Sequence, residues 1–597
     1  MQTSKTWQSQ YLPYMLSISS LLLGMTIKDL FFNSWSLFNT PNAEAIVSEA
    51  ITKSQQNNST LSHEQIDAIL ADGDACFNSD NVEEAVRKYK DILNKDHLYL
   101  MTIMRLAAAS CRLDKYEQAE YFYRTAIAIQ PNLISAYNKL GLVQEKLHKF
   151  DAALRTFTAA SLLQPHSYES FFNLSRIYSE LNQFDKAIEY AKKAIELQPD
   201  NVHTHLNLGH IYNKQGDTQA ACIQYENAIK VEPTLANAHY NLGYTLRVQR
   251  EPAKAIPHLL KALELQPYYP DAHIALAQSY WTFGNFKKAW EDYEWRWQQL
   301  GMDPKNLPVP LWDGSSLKDK KIFLYSEQGM GDTLQFIRYA KKIKEEHNAY
   351  IICKVQKPLA TLLKLCPYLD KVLVGGENEE TEIQAQAPLL NLPGILETTP
   401  ETIPHSIPYL YADKELSALW KEKLSADKNV KVGLCWHVLP AHEVSKSPLS
   451  VRSIDLKILA PLADIPGITF YSLQKMDGEE QVLRLPEKFK VHTFGDDFDG
   501  SHGRFMDSAA LIENLDLVIS VDTSIIHLAG GLGKPVWTLL PYSPDCRWDL
   551  DDYTTPWYKN MRLFRQPAWK DWDSVVDRLK KELKTFVETK KKSSATV

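Results

Sequence analysis

PTLANAHYNLGYTLRVQREPAKAIPHLLKALELQP, residues 233–267, begins and ends on prolines 34 positions apart, and its pattern organises the first half of the chain. Pro131, Pro165 and Pro199 continue the interval toward the N-terminus with no insertion between units. Twelve residues before each proline stands an alanine: Ala119, Ala153, Ala187, Ala221 and Ala255, a series that extends to Ala85 and Ala289. A second column of small residues runs Gly73, Ala107, Gly141, Ser175, Gly209, Gly243, Ala277. Self-similarity at such a period marks a stacked repeat. Two small columns predict a pair of antiparallel helices per unit whose backbones approach closely, with Leu140, Leu174, Leu208, Leu242 and Leu276 filling the interior. The proline stops the second helix and opens the turn into the next unit.

Seven such hairpins over 66–302 resemble the tetratricopeptide repeat, a superhelix whose concave groove holds another molecule. A plain scaffold or dimerisation device is the competing reading. His203, His205, His239 and His273 recur along first helices. Because the last three share a column that is usually aromatic, packing is preferred over a metal or polar track. The final unit, 281–300, carries Trp281, Trp290, Trp295 and Trp297, and Arg296 replaces an inner alanine. An aromatic end unit suits docking of the domain that follows.

At 597 residues the chain needs several cores. A net charge of −7 provides no basic field for nucleic acid. Seven scattered cysteines without a CxxC pair suit a reducing compartment and argue against a disulfide framework or zinc site, so no metal is expected. Residues 11–27, YLPYMLSISSLLLGMTI, are apolar; packing on protein, a membrane anchor and a cleaved signal all stay open. The expected location is cytoplasmic, with membrane association through this segment allowed.

After a proline-rich linker, 303–316, the period changes. KIFLY (321–325), a helix over about 333–346, YIICKV (350–355), a helix near 358–366 and KVLVGG (371–376) form one strand–helix series. A second begins with the strand at 431–436. It continues through a helix near 455–464, ITFYSLQ (468–474), a helix near 507–514, LDLVISV (515–521), a helix near 524–532 and PVWTLL (535–540). This alternation predicts two parallel-sheet α/β lobes divided by a charged helical stretch at 414–428, with ligands beyond the carboxyl ends of the strands.

Three strand ends hold the candidate chemistry. In SEQGMGDTLQF (326–336), Gly329 and Gly331 permit a tight turn and Asp332 opens a helix. Asp332 is either a general base on an acceptor hydroxyl or, with Gln335 three residues on, part of a capping box. In VDTSIIHLAGGLGKP (521–535), Asp522, Thr523 and Ser524 open a helix whose amides can take a phosphate, and His527 adds a donor. Simple capping by Thr523 or Ser524 is compatible with that role. In the loop 437–456, Lys446 and Arg452 can neutralise a diphosphate, or form a solvated charged loop.

Together EQGMGDTLQF, FYSLQK (470–475), DTSIIHLAGGLGKPVW (522–537) and RLFRQPAWKDWDSVV (562–576) resemble the heptosyltransferase-like GT-B glycosyltransferases (glycosyltransferase family 9), in bacterial proteins that fuse them to tetratricopeptide repeats. The resemblance implies a two-lobed, double Rossmann-like domain and an inverting, metal-independent transfer from a nucleotide sugar, a cosubstrate rather than a cofactor. It assigns the base to Asp332, the leaving diphosphate to Asp522, Thr523, Ser524 and Arg452 or Lys446, and the nucleotide to the neighbourhood of Gln474 and Lys475. His437-Val438-Leu439-Pro440 departs from the family's glycine-containing turn. The expected organisation is an apolar, low-order segment (1–60), seven repeats (61–302), linker (303–316), N-terminal lobe (317–413), inter-lobe helix (414–429), C-terminal lobe with its last helix (430–588) and basic tail (589–597). The expected partner is a protein or glycan acceptor selected by the repeats, with a scaffold bearing a degenerate transferase domain as the alternative.

Overall fold

The computed structural model describes residues 62–94, 99–299, 301, 309–375, 382–438, 447–548 and 551–595. The apolar segment 11–27, residues 302–308 of the linker, and Lys446 with its neighbours 439–445 lie outside them. Among the described residues, no helix is long and apolar enough to cross a membrane.

Seven antiparallel hairpins follow one another: α1 (His63–Asn78) with α2 (Val82–Leu93), α3 (Leu100–Arg112) with α4 (Tyr116–Ile129), α5 (Ile134–Lys146) with α6 (Phe150–Leu163), and α7 (Tyr168–Glu180) with α8 (Phe184–Leu197). Then come α9 (Val202–Gln215) with α10 (Thr218–Val231), α11 (Ala236–Val248) with α12 (Pro252–Leu265), and α13 (Pro270–Thr282) with α14 (Phe286–Tyr293). The first is opened by a capping box: Ser62 Oγ accepts from the Gln65 amide at 3.2 Å, and Gln65 Oε1 accepts from the Ser62 amide at 3.0 Å. Every member of the alanine column from Ala85 to Ala289 is fully buried. Opposite Gly141 sits Phe157; a Cβ on Gly141 would lie 2.4 Å from the Phe157 ring, so the small column exists to admit a large side chain from the partner helix.

A further column was not read from sequence. Asp80, Asp114, His148, Asn182, Gly216, Arg250 and Gly284, each 34 residues from the next, all adopt positive φ in the turn between the two helices of a unit. The histidine column packs as expected and also does polar work. His205, His239 and His273 each donate Nε2–H to the carbonyl of the proline six residues earlier, at 2.9, 3.1 and 3.3 Å. Those carbonyls lie beyond a helix end, where no intrahelical donor remains. His203 is exposed.

Contacts divide the chain into two compact units, with the division between Tyr212 and Asn213. The second unit therefore contains α10 to α14 as well as the α/β region. There, β1 (Lys321–Tyr325), β2 (Tyr350–Val355), β3 (Lys371–Val374) and β4 (Ala385–Pro388) form a parallel sheet in the order β3-β2-β1-β4. A second parallel sheet has the order β10-β9-β8-β5-β6-β7, made of β5 (Val430–Cys435), β6 (Ile468–Ser472), β7 (Val491–His492), β8 (Leu517–Val521), β9 (Val536–Leu540) and β10 (Met561–Arg565). The two-lobed, double Rossmann-like reading is thus met.

The details differ at several places. The stretch expected as one helix over 333–346 is two, α15 (Met330–Phe336) and α16 (Arg338–His347). The stretch 455–464 is a 3-10 helix, Leu456–Asp464, with Pro461 inside it, where an α-helix would lose a backbone donor. Helix α17 (Lys414–Lys423) lies between the sheets in sequence; α18 (Met506–Glu513) and α19 (Ser524–Gly531) flank β8. Helix α20 (Trp572–Ala595) includes residues 589–595 of the expected basic tail.

One continuous apolar core joins the end of the repeats to the α/β region. Leu259, Leu276, Trp281 and Trp290 belong to the same buried cluster as Trp312, Leu324, Leu334 and Leu390. At ~1.5–3 kcal/mol per fully buried large apolar side chain, this seam is a structural interface rather than a tether.

Candidate functional site

Arg296 occupies the column held by Ala126, Ala160, Ala194, Ala228 and Ala262 in earlier units, and it is 3% exposed. Its Nη2 donates to Glu327 Oε1 at 2.8 Å and to Asn391 Oδ1, while Nη1 donates to the Tyr293 carbonyl at 3.3 Å. Burial pushes the Glu327 carboxyl above its usual range, an effect that Arg296 opposes. Glu327 begins the turn that leads from β1 into α15, so the last repeat holds a side chain of the turn that leads to Asp332. Gln328 Nε2 adds a bond to Tyr293 Oη at 3.1 Å.

Asp332 lies in the first turn of α15. Its Oδ2 accepts the Gly329 amide at 3.1 Å, so the capping reading is correct in kind, although Asp332 is the inner member of the cap. Its Oδ1 accepts from Arg547 Nη2 at 2.8 Å, and the side chain keeps 17% of its surface open. Gln335 is not its capping partner: Gln335 Oε1 accepts from Arg547 Nη1 at 2.6 Å, and its buried Nε2 has no partner. Arg547 also donates Nε–H to Asp545 Oδ1 at 2.9 Å.

The carboxyl end of β8 meets this turn from the second lobe. A Cβ on Gly331 would lie 3.0 Å from His527 Cδ2 and 3.6 Å from Ser524 Cα, so glycine lets the starts of α15 and α19 touch. Thr523 caps α19, its Oγ1 accepting from the Ile525 amide at 3.3 Å. Ser524 is the first residue of that helix. Asp522 is buried; its Oδ2 accepts from Trp548 Nε1 at 3.0 Å, and its carbonyl accepts from Arg452 Nη1 at 3.3 Å. Burial raises the Asp522 carboxyl, against the pull of Arg452 and Arg547.

His527 is held far below its usual range, first by burial and then by the cations Arg547 and Arg338, so it is neutral at physiological pH. A buried chain of polar groups reaches its ring: Arg338 Nη2 donates to Tyr409 Oη at 2.9 Å, Tyr409 Oη lies 3.2 Å from Tyr558 Oη, and Tyr558 Oη lies 2.8 Å from His527 Nδ1. The other ring nitrogen, Nε2, lies 4.0 Å from Asp522 Oδ1.

The expected residues thus fall in two groups. Gly329, Gly331, Asp332, Asp522, Thr523, Ser524 and His527 assemble around one contact, and Arg452 joins through the Asp522 carbonyl. Gln474 and Lys475 follow β6, which β5 separates from β8. Gln474 is absorbed in backbone bonds: its Oε1 accepts the amides of Trp436 and His437 at 3.1 and 3.0 Å, and its Nε2 donates to the Asp477 carbonyl at 2.9 Å. Lys475 Nζ lies 3.5 Å from the Gly495 carbonyl and 3.8 Å from Glu479 Oε1. Lys446 is outside the described residues. Arg547, Trp548, Tyr558 and Arg338 were not singled out from sequence, although Arg547 bridges the first lobe to the second. Among the described residues, no group of three His, Cys, Asp or Glu is placed to hold a metal ion.

Residues 168–201, 190–223, 209–247 and 240–300 match tetratricopeptide-repeat models, and residues 503–582 match the model described as glycosyltransferase family 9 (heptosyltransferase). The latter stretch contains Asp522, Thr523, Ser524, His527 and Arg547, and begins well after Asp332. The chain is 26% identical over 325 residues to Protein FlbA of Caulobacter vibrioides, an alignment covering 51% of this chain and 53% of that protein. It therefore spans about half the length of this curated relative. Similar solved structures include MamA from Desulfovibrio magneticus RS-1, at 21% identity, 28% of this chain, 95% of that one and a TM-score of 0.27. A tetratricopeptide repeat protein from Parabacteroides merdae matches at 13% identity, over 40% of this chain and 94% of that one, with a TM-score of 0.36.

Proposed function

We propose that this chain, which carries tetratricopeptide repeats and a C-terminal glycosyltransferase family 9 segment, moves a sugar from a nucleotide-activated donor to an acceptor hydroxyl in one inverting displacement. The observation that carries this reading is the meeting of Asp332 with the Asp522-Thr523-Ser524 helix start, across Gly331 and under Arg547. A carboxylate has about four acceptor sites, and Asp332 uses two, so it can still take a proton. The acceptor oxygen attacks the anomeric carbon, its proton passes to Asp332, and the bond to the diphosphate breaks with the electron pair leaving on phosphate. The first-turn amides of α19 and the guanidinium groups of Arg452 and Arg547 are suited to that anion. These groups do the work without a metal ion. The reading is tested by a thermal-shift panel of nucleotides and nucleotide sugars, followed by donor turnover in the Asp332→Ala variant. It predicts saturable stabilisation by one nucleotide class and loss of turnover.

A second reading, a repeat scaffold whose transferase domain does not turn over, draws on one observation. The backbone amides of Trp436 and His437 at the end of β5 are both taken by Gln474 and are not offered to a donor. Indifference to the whole nucleotide panel would favour it.

A further inference from the structure

Between the last hairpin and the α/β region lies a cavity of about 50 Å³. Helices α13 and α14 supply Gln278, Trp281, Trp290 and Tyr293, and the α/β side supplies Arg547 and Trp557. Its aromatic walls are braced against each other: the Trp281 and Trp290 rings meet edge to face at 4.6 Å, and Trp281 meets Tyr293 at 4.8 Å. Two of its polar edges hold the catalytic turn, since Arg547 binds Asp332 and Tyr293 binds Gln328.

The indole N–H groups of Trp281 and Trp290 are buried without a hydrogen-bond partner. Gln335 Nε2, whose amide is bonded through its oxygen to Arg547, is in the same condition. Buried donors nearly always have partners, so two orphans on the wall of one cavity, with a third on the residue before its Phe336, mark a place for an oxygen-bearing guest. Size limits that guest. One water needs ~10–15 Å³ of such space, so the cavity has room for only a few heavy atoms. A serine or threonine side chain fits; a pyranose with its hydroxyls does not.

We propose that this cavity is the acceptor subsite, and that the acceptor is a serine or threonine side chain of a polypeptide. This rests on the transferase reading above and narrows its acceptor from protein or glycan to protein. The last repeat then does two jobs, gripping the Asp332 turn through Arg296 and walling the space in which the acceptor side chain is held. Here the side-chain oxygen forms the bond to the anomeric carbon and its proton goes to Asp332. The donor's nucleoside diphosphate leaves with the electron pair.

The test uses the full chain, a panel of nucleotide sugars, synthetic peptides with a single serine or threonine, and methyl glycosides as rival acceptors. Mass spectrometry reads transfer, and nucleotide release reads donor hydrolysis. The expected result is transfer to peptide, with the ratio of peptide transfer to donor hydrolysis falling at least tenfold when Gln278→Trp fills the cavity. Trp290→Phe, which keeps a ring and removes the N–H, should raise the peptide KM, and both variants should keep the parent melting temperature within a few degrees. Transfer to glycosides alone overturns the proposal, as does a Gln278→Trp ratio equal to the parent's in a folded protein. Donor hydrolysis without any peptide transfer refutes the subsite only. Absence of hydrolysis with every donor refutes the transferase reading and the subsite with it.

Discussion

Replacing Arg296 by methionine keeps the buried stem and deletes the charge. Arg296 and Glu327 are 3% and 5% exposed, and their 2.8 Å contact is the strongest charged link between the last repeat and the Asp332 turn. Glu327 Oε2 already has no partner, so the variant leaves a buried carboxylate with no cation. Breaking one side of such a pair costs ~3–5 kcal/mol. Removing both charges, as in Arg296→Met with Glu327→Leu, should cost far less, giving a coupling energy of roughly 2 kcal/mol or more. Global unfolding of a two-unit chain is not a single transition, so hydrogen–deuterium exchange is the better assay. Protection should fall in 286–299 and 326–336 for Arg296→Met, recover in the double variant, and stay unchanged in 63–197. Equal exchange in parent and Arg296→Met, or no recovery in the double variant, would refute the reasoning.

Gly331→Ala places a methyl 3.0 Å from His527 and should cost ~1–3 kcal/mol, with donor turnover falling further than the melting temperature alone explains. Gly141→Ala drives a Cβ to 2.4 Å from Phe157; the first unit should lose ~1–3 kcal/mol while donor hydrolysis is retained. His527 has a native pKa well below its unfolded value near 6.5, so the unfolded state binds the extra proton. Stability should therefore fall as pH drops below about 6.5, with a slope of up to ~1.4 kcal/mol per pH unit, and His527→Gln should remove that component from denaturant titrations. An identical pH slope in the two proteins would show that His527 is not held neutral.

The repeat array was legible because each unit solves the same packing problem, so Ala85 to Ala289 and Gly73 to Ala277 repeat the answer in register. Arg296 could be seen as the departure from its alanine column, but its partner Glu327 could not, since nothing in one sequence pairs them. The seven positive-φ turn residues escaped because four residue types besides glycine occupy that column, masking the shared conformation. Strand β4, AQAP, was missed because it is buried on both faces and ends on proline, and so shows no alternation. Strand ends and their glycines pointed to Asp332 and Asp522 in separate lobes; their approach depends on Gly331 and on the fold of both sheets. Arg547 had no motif around it, and only the three-dimensional structure places its guanidinium on Asp332. Gln474 carried a motif, yet its amide serves the backbone of two loops.

The most direct test of the account is nucleoside diphosphate release from the stabilising nucleotide sugar, in the presence of acceptor, by parent protein and Asp332→Asn. This substitution keeps the shape and a hydrogen-bond acceptor and removes the base. The account predicts a fall of about a hundred- to ten-thousandfold in turnover, with nucleotide-induced stabilisation preserved. Turnover equal to the parent's would contradict it, because Asp332 would then not be the group that receives the acceptor's proton.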